Sequence, residues 1–170
     1  MKLSTDNIRL RKLDTEDLTF LYLIENDEKA WECSDTHNPL SHRDLVDYMV
    51  NSTGDIYRDG QLRLVIESND AEKNTLGCID IFDLDIRNSR AAIGIYVIDE
   101  YRKQNVATEA VELVVKYASE FLHLRMLYAF VDSNNVASKR LFEKNGFRIA
   151  ARLDNWYLTT DAVVFVCMLQ

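Results

Sequence analysis

Cysteine, proline and glycine are scarce in this chain of 170 residues, with 3, 1 and 5 copies. Cys33, Cys78 and Cys167 are far apart, form no CxxC pair and have no metal-ligand spacing, so neither a disulfide framework nor a metal site is expected. Cys78 and Cys167 fall in apolar, strand-like runs, where a reduced cysteine behaves as a small buried hydrophobe. With Pro39 as the one proline and no stretch rich in Pro, Gly or Ser, there is no linker, and residues 1–170 read as one domain. The phosphate-binding patterns GxGxxG and GxxxxGK[ST] are both absent, which leaves Rossmann and kinase-type readings without support. No apolar run approaches the roughly 20 residues that span a bilayer. The opening MKLSTDNIRLRK has no signal-peptide pattern, so a reducing cytoplasm is expected. Basic residues are the minority, 20 against 28 acidic, for a net charge of −8. An acidic chain is a poor partner for nucleic acid or an anionic membrane, and is compatible with cationic amines.

What is present is an ordinary share of hydrophobic residues, 47%, arranged with clear periodicity. Ile8 to Leu13 alternates apolar and basic residues, as a half-exposed strand does. Asp14 or Thr15 can cap a helix bearing Leu18, Leu21, Tyr22 and Ile24; Trp31 to Leu40 reads as a loop. Ser41 and Asp44 look like a reciprocal cap for a second helix with Leu45, Tyr48 and Met49 on one face. Strand-like runs follow at Gln61–Glu67, Leu76–Phe82 and Arg90–Ile98, the last fed by a turn at Asn88–Ser89. A long amphipathic helix carries Ala110 to Phe121. Met126–Val131 reads as a strand and Val136–Lys144 as a helix leaving through Asn145-Gly146. Phe147–Leu153 and Val163–Leu169 read as a closing hairpin. The order is βααβββαβαββ, an α/β (α+β) pattern with a mixed, mostly antiparallel sheet flanked by helices.

The segment from Ile93 to Thr108 carries the most chemistry. A strand that ends in a short polar turn and opens a long helix leaves backbone N–H groups free at the positive end of the helix dipole. That is an anion site suited to phosphates, with Arg102 and Lys103 at its mouth. The same pattern also fits an ordinary helix start.

Two motifs resolve this. Asn135-Val136-Ala137-Ser138, then Leu141-Phe142-Glu143-Lys144-Asn145-Gly146-Phe147, resembles the NxxS/A…L(Y/F)EKxGF stretch of the GNAT superfamily of N-acetyltransferases. Upstream, Tyr101 to Thr108 is similar to that family's (Q/R)xxGx(G/A) pyrophosphate loop. Ile8-Arg9-Leu10-Arg11 with Asp17-Leu18 resembles the opening of the branch containing spermidine/diamine and ribosomal-protein N-terminal acetyltransferases. The resemblance implies a GNAT-like fold and acetyl-CoA as cofactor. It implies that Ile95, Tyr96 and Val97 present backbone groups to the pantetheine arm, with one N–H, that of Val97, polarising the thioester carbonyl. It further implies that Arg102, Lys103, Gln104, Asn105, Val106, Ala107 and Thr108 cradle the pyrophosphate, that Asn135 bonds the pantetheine, and that Ser138 lies near the cofactor. The alternative for Asn135 is a simple helix cap, and the EKxGF context that accompanies it favours the cofactor role. Self-association as a homodimer or higher homo-oligomer is also implied.

The chain departs from the family pattern twice. Asn105 stands where the loop's first glycine is usual, and asparagine is the next most tolerant residue of unusual dihedrals. Phe142 stands where many members carry a tyrosine that protonates the departing thiolate. A thiol of pKa about 8.5 leaves with modest help, so losing such an acid costs typically about 10²–10⁴-fold without abolishing transfer. The acceptor amine, of pKa about 10.4, needs deprotonation by a base or a water chain. Asp80 is the first candidate, as base or as amine-binding group; the alternative is a solvent-facing aspartate on an alternating strand. Glu32 and Asp35 can line the acceptor entrance or belong to a solvated loop. His37 and His42 read as surface histidines, Tyr128 as a core tyrosine, and Cys33 lacks a paired base. The expected activity is acetyl transfer from acetyl-CoA to a primary amine, most simply of a polyamine, diamine or other small cationic molecule. Acetylation of a protein N-terminus and a non-catalytic acetyl-CoA-binding module are the alternatives.

Overall fold

The structure, a computed structural model, describes residues 2–31 and 38–170, and of Lys29 and Ala30 the backbone only. Strand β1 (Ile8–Lys12) buries Ile8 and Leu10 and turns Arg9 and Arg11 outward, the alternation its sequence predicts. Asp14 and Asp17 cap each other reciprocally, but the first turn, Thr15–Asp17, is a 3₁₀ turn leading into α1 (Leu18–Glu25). A single turn, α2 (Glu28–Trp31), follows. Helix α3 (His42–Asn51) begins at the expected cap, with Ser41 and Asp44 bonding each other's backbone N–H. A second single turn, α4 (Ile56–Asp59), closes on Gly60 at φ 70°. Both short turns lie below the length at which periodicity is readable.

The remaining elements are β2 (Leu62–Ser68), β3 (Thr75–Asp85), β4 (Arg90–Val97), α5 (Val106–Glu120), β5 (Met126–Asp132), α6 (Val136–Lys144), β6 (Arg148–Leu153) and β7 (Ala162–Met168). They form one seven-stranded sheet in the order β1-β2-β3-β4-β5-β7-β6. Every pairing is antiparallel except β4 with β5, which α5 joins by the long crossover that a parallel pair needs. The closing hairpin is real, and its second strand inserts between β5 and β6.

Register sorts the side chains onto two faces. One face carries Leu64, Ile79, Leu127, Ala129 and Phe165, and packs against Val106, Ala110, Val111 and Val114 of α5 and Phe142 of α6 to make the main core. The other face carries Arg63, Asp80 and Gly94 in one row, and Val65, Cys78 and Tyr96 in the next. It continues through Ala92, Tyr128 and Val166. On this face Leu21 and Ile24 of α1 and Leu45 of α3 cover Cys78, with Tyr96 at the margin. No helix among the described residues is long and apolar enough to cross a membrane.

Candidate functional site

Strands β4 and β5 pair only from Arg90 to Ala92, against Met126 to Tyr128. Beyond Ala92 they part, and a cleft of about 860 Å³ opens between them. Ile98 donates its N–H to Leu76 across β3 at 3.0 Å. Since antiparallel ladders alternate, the polar backbone groups of Gly94 and Tyr96 face β3, and those of Ile95 and Val97 face the gap. Gly77 makes the close approach possible: a Cβ there would lie 2.1 Å from the Tyr96 carbonyl oxygen and 2.9 Å from the Val97 Cα. With that carbonyl turned onto Gly77, the planar trans peptide turns the Val97 N–H the opposite way, toward the cleft.

The turn after β4 is built from local bonds. Arg102 donates through Nε to the Val97 carbonyl at 2.9 Å, pairs with Asp99 at 2.8 Å and lies 5.9 Å from the centre of the Tyr96 ring. Its guanidinium therefore braces the end of β4, whereas Lys103 is exposed. Gln104 bonds back to the Glu100 carbonyl at 2.9 Å. Asn105, at φ 67°, takes the left-handed conformation for which glycine is the usual residue. It caps α5 without a side-chain bond. The first-turn N–H groups of Val106, Ala107 and Thr108 lack intrahelical partners by geometry. The Asn105 carboxamide instead accepts from Lys144 Nζ at 2.9 Å and reaches Glu109 at 3.4 Å. Glu109 also accepts from Thr5 and Asn7. Burial works against its charge, but these hydrogen bonds prevail and hold its carboxyl below the usual range.

Across the splay, Asn135 and Ser138 begin α6 at the cleft wall. The Asn135 Oδ1 accepts the Ser138 N–H at 3.0 Å, so its oxygen is a helix cap and its Nδ2 remains for other partners. Phe142 is buried against Phe147 and Phe165, with centroids at 5.0 and 6.0 Å, and brings no hydroxyl to the cleft.

At the far end, Asp80 meets groups that sequence reasoning missed. Arg63 forks onto Asp80 at 2.7 and 2.9 Å and also pairs with Glu25. Burial opposes the Arg63 charge, but the two carboxylates hold its pKa well above the ordinary value. Glu25, Arg63 and Asp80 come from α1, β2 and β3. No spacing joins them; register does. Burial, then the neighbouring Asp80, pushes the Cys78 thiol up to about 12, so it is no nucleophile. The core placement expected for Tyr128 does not hold: it is half-buried in the cleft, where burial raises its pKa and keeps it protonated. His42 is exposed and meets the Tyr22 ring at a tilt of 56°, with centroids 4.1 Å apart. Glu32, Cys33, Asp35 and His37 lie outside the described residues.

Residues 7–148 match the acetyltransferase (GNAT) domain family. The spermidine N(1)-acetyltransferase of Escherichia coli K12 is 27% identical over 153 residues, which are 88% of this chain and 77% of that protein. An uncharacterized N-acetyltransferase of Bacillus subtilis, YoaA, is 28% identical over 147 residues, 86% of this chain and 82% of that one. Among solved structures, a spermidine N-acetyltransferase from Vibrio cholerae in complex with CoA and spermine superposes with a TM-score of 0.84. That match covers 96% of each chain at 20% identity, a likeness of fold.

Proposed function

The chain belongs to the GNAT acetyltransferase family, and from that premise we propose that it acetylates the primary amine of a small cationic molecule such as a polyamine or diamine. As a member it uses acetyl-CoA, which supplies the acetyl group already activated as a thioester. The observation that carries the reading is the splay itself. The Ile95 backbone groups and the Val97 N–H run along one wall, with the Val97 carbonyl held by Arg102; the open N-terminus of α5 lies beyond the end of β4, and a net-anionic cluster lines the cleft.

The residues present fit that cofactor. The amides of Val106, Ala107 and Thr108, with the turn from Arg102 to Asn105, would hold the pyrophosphate by backbone donors and the helix dipole. Ile95 and Val97 would bond the pantetheine arm as an added strand, and Asn135 Nδ2, beside Ser138, would bond it from the opposite wall. The Val97 N–H would polarise the thioester carbonyl, the kind of fixed donor that costs no reorganisation during reaction. Both oxygens of Asp80 accept from Arg63, so we assign Asp80 to attracting and orienting the ammonium. Deprotonation then runs through water in the open cleft. Glu25 and Asp80 against Arg63 leave one net negative charge to receive the amine, which Glu32 and Asp35 would supplement. Tyr128 is a candidate proton donor to the departing sulfur. One sheet running through the chain supports residues 1–170 as a single acyltransferase domain.

Thiol release from acetyl-CoA, followed across small amines and peptides with free N-termini, tests the reading. Release should depend on a small cationic amine. Turnover on peptides alone would move the acceptor to protein N-termini. Acetyl-CoA binding without turnover on any acceptor would leave only a binding module, consistent with the hydroxyl-free Phe142.

A further inference from the structure

The sheet face that carries Asp80 changes character across the splay. On the β3 side it is charged. On the β5 side it presents Tyr128 and Phe130, and the loop after β6 lays Trp156 over Phe130, with centroids 5.4 Å apart and 9° between the planes. Tyr128 meets Phe130 edge-on at 5.9 Å. Phe130 is 39% and Trp156 56% exposed, yet the loop that carries Trp156 is braced. Asn155 N–H donates to Asp161 at 2.8 Å, Tyr157 N–H to the Thr160 carbonyl at 3.0 Å, and the Thr160 hydroxyl to Asp132 at 2.6 Å. The clusters that α1 and α3 form lie on the other half of this face. Aromatic surface held rigid and open along a cleft wall is what a ligand site offers, because leaving it wet is unfavourable until something covers it.

We propose that this wall is an acceptor subsite that takes the flat, apolar body of an arylalkylamine and directs its amine toward Glu25, Arg63 and Asp80. The proposal rests on the acetyl-transfer reading and, among small cationic amines, moves the preferred acceptor from the polyamines to a monoamine with an aryl body. Charge distribution supports it. Among the described residues, the Glu25–Arg63–Asp80 group carries one net negative charge and matches one ammonium. Asp132, on the same strand as the wall, already accepts from the Thr160 hydroxyl and from the Asn134 N–H at 2.6 Å. Asp83 and Arg90 also line the cleft, and Arg90 pairs with Asp85 at 3.2 Å, which leaves Asp83 at the margin beside Tyr128. Along the Phe130–Trp156 wall itself, a second ammonium of an extended polyamine would meet ring faces at an open site, where cation–π attraction is weak. An aryl ring laid against Phe130 and Trp156 buries apolar area on both partners. The wall also lies on the face opposite α5, so it need not compete with the pyrophosphate turn for space.

The test compares kcat/KM, by thiol release, for 2-phenylethylamine and tyramine against 1,4-diaminobutane and spermidine. The wild-type protein should favour the arylalkylamines by about tenfold or more, and W156A and F130L should each cut that ratio by about tenfold. Because the readout is a ratio within one protein, a general loss of folded enzyme leaves it unmoved. A wild-type preference for the aliphatic amines, or a ratio that neither variant changes, overturns the aromatic subsite while leaving acetyl transfer standing. Absence of turnover with every amine overturns both.

Discussion

Asn105 holds a left-handed backbone at φ 67° that costs an ordinary L-residue roughly 1–2 kcal/mol. Its side chain offsets this by accepting from Lys144, which reaches over from the last turn of α6 and also lies 3.4 Å from the Thr108 hydroxyl. Lys144 therefore positions the turn that presents the α5 amides. Replacing it, K144M, should weaken CoA binding about fivefold, the scale of one charge-assisted hydrogen bond at an open site. N105G adopts the same backbone without a side chain to hold. In the N105G background, K144M should cost twofold or less. Calorimetric titration of CoA into the four proteins measures the coupling. An equal loss in both backgrounds would mean that Lys144 acts on the phosphates directly, and the clamp would be wrong.

Between elements, the decisive contact is β3 against β4. Gly77 sits where β3 shifts register against β2, between Ile66 and Glu67, and no side chain fits between it and Tyr96. Gly77→Ala must push the Tyr96–Val97 peptide aside by about 1 Å. That should cost about 1–3 kcal/mol of stability, as overpacking does. It should also lower kcat by up to about 10²-fold, since a donor displaced by that distance no longer meets the carbonyl. KM for acetyl-CoA should move far less, because the pyrophosphate turn stays on α5. A kcat within twofold of wild type would remove Val97 from the mechanism. How much of this was legible varies with the range of the signal. Helix α6 was readable residue for residue, because Asn135 and Gly146 mark its ends locally. So was the cap of α3 by Ser41 and Asp44. The parting of β4 from β5 after Ala92 is not written in local periodicity, since Ile93, Ile95 and Val97 on one strand and Ala129 and Val131 on the other continue the core-facing alternation that precedes it. Glu25 and Arg63 drew no notice in the sequence, because Arg63 is brought to Asp80 only by strand pairing and Glu25 only by the packing of α1. Tyr128 looked like core because alternation tells one face from the other but not which face a helix covers.

For the molecule as a whole, charge stability concentrates at the edge where β1 joins β2 and α1. Buried Glu67 accepts from Arg9 and Arg11, and Arg11 also forks onto buried Asp17 at 2.7 and 2.8 Å. Asp17 in turn accepts the Asp14 N–H at 2.9 Å, so one network ties the edge strand β1 and its neighbour β2 to the entry of α1. Burial alone would raise both carboxyls, but the arginines and the cap bond outweigh it, and both titrate below their ordinary values of 4.5 and 3.8. A folded-state pKa below the unfolded one contributes stability that is complete above the unfolded value and lost as pH falls through the folded one. The melting temperature should therefore be level between about pH 6 and 8 on this account and decline below about pH 4.5. Arg11→Met leaves Asp17 buried without its guanidinium and Glu67 with Arg9 alone. At pH 7 that should cost about 2 kcal/mol, toward the low end for a broken buried pair because Arg11 keeps some exposure, or roughly 5 °C in a chain of this size. Protonation relieves the stranded carboxyls, so the gap between variant and wild type should shrink steadily from pH 6 to pH 3. Calorimetric melts across that range decide it: a gap as wide at pH 3 as at pH 7 would show that Arg11 stabilises by packing its stem and not by its charge.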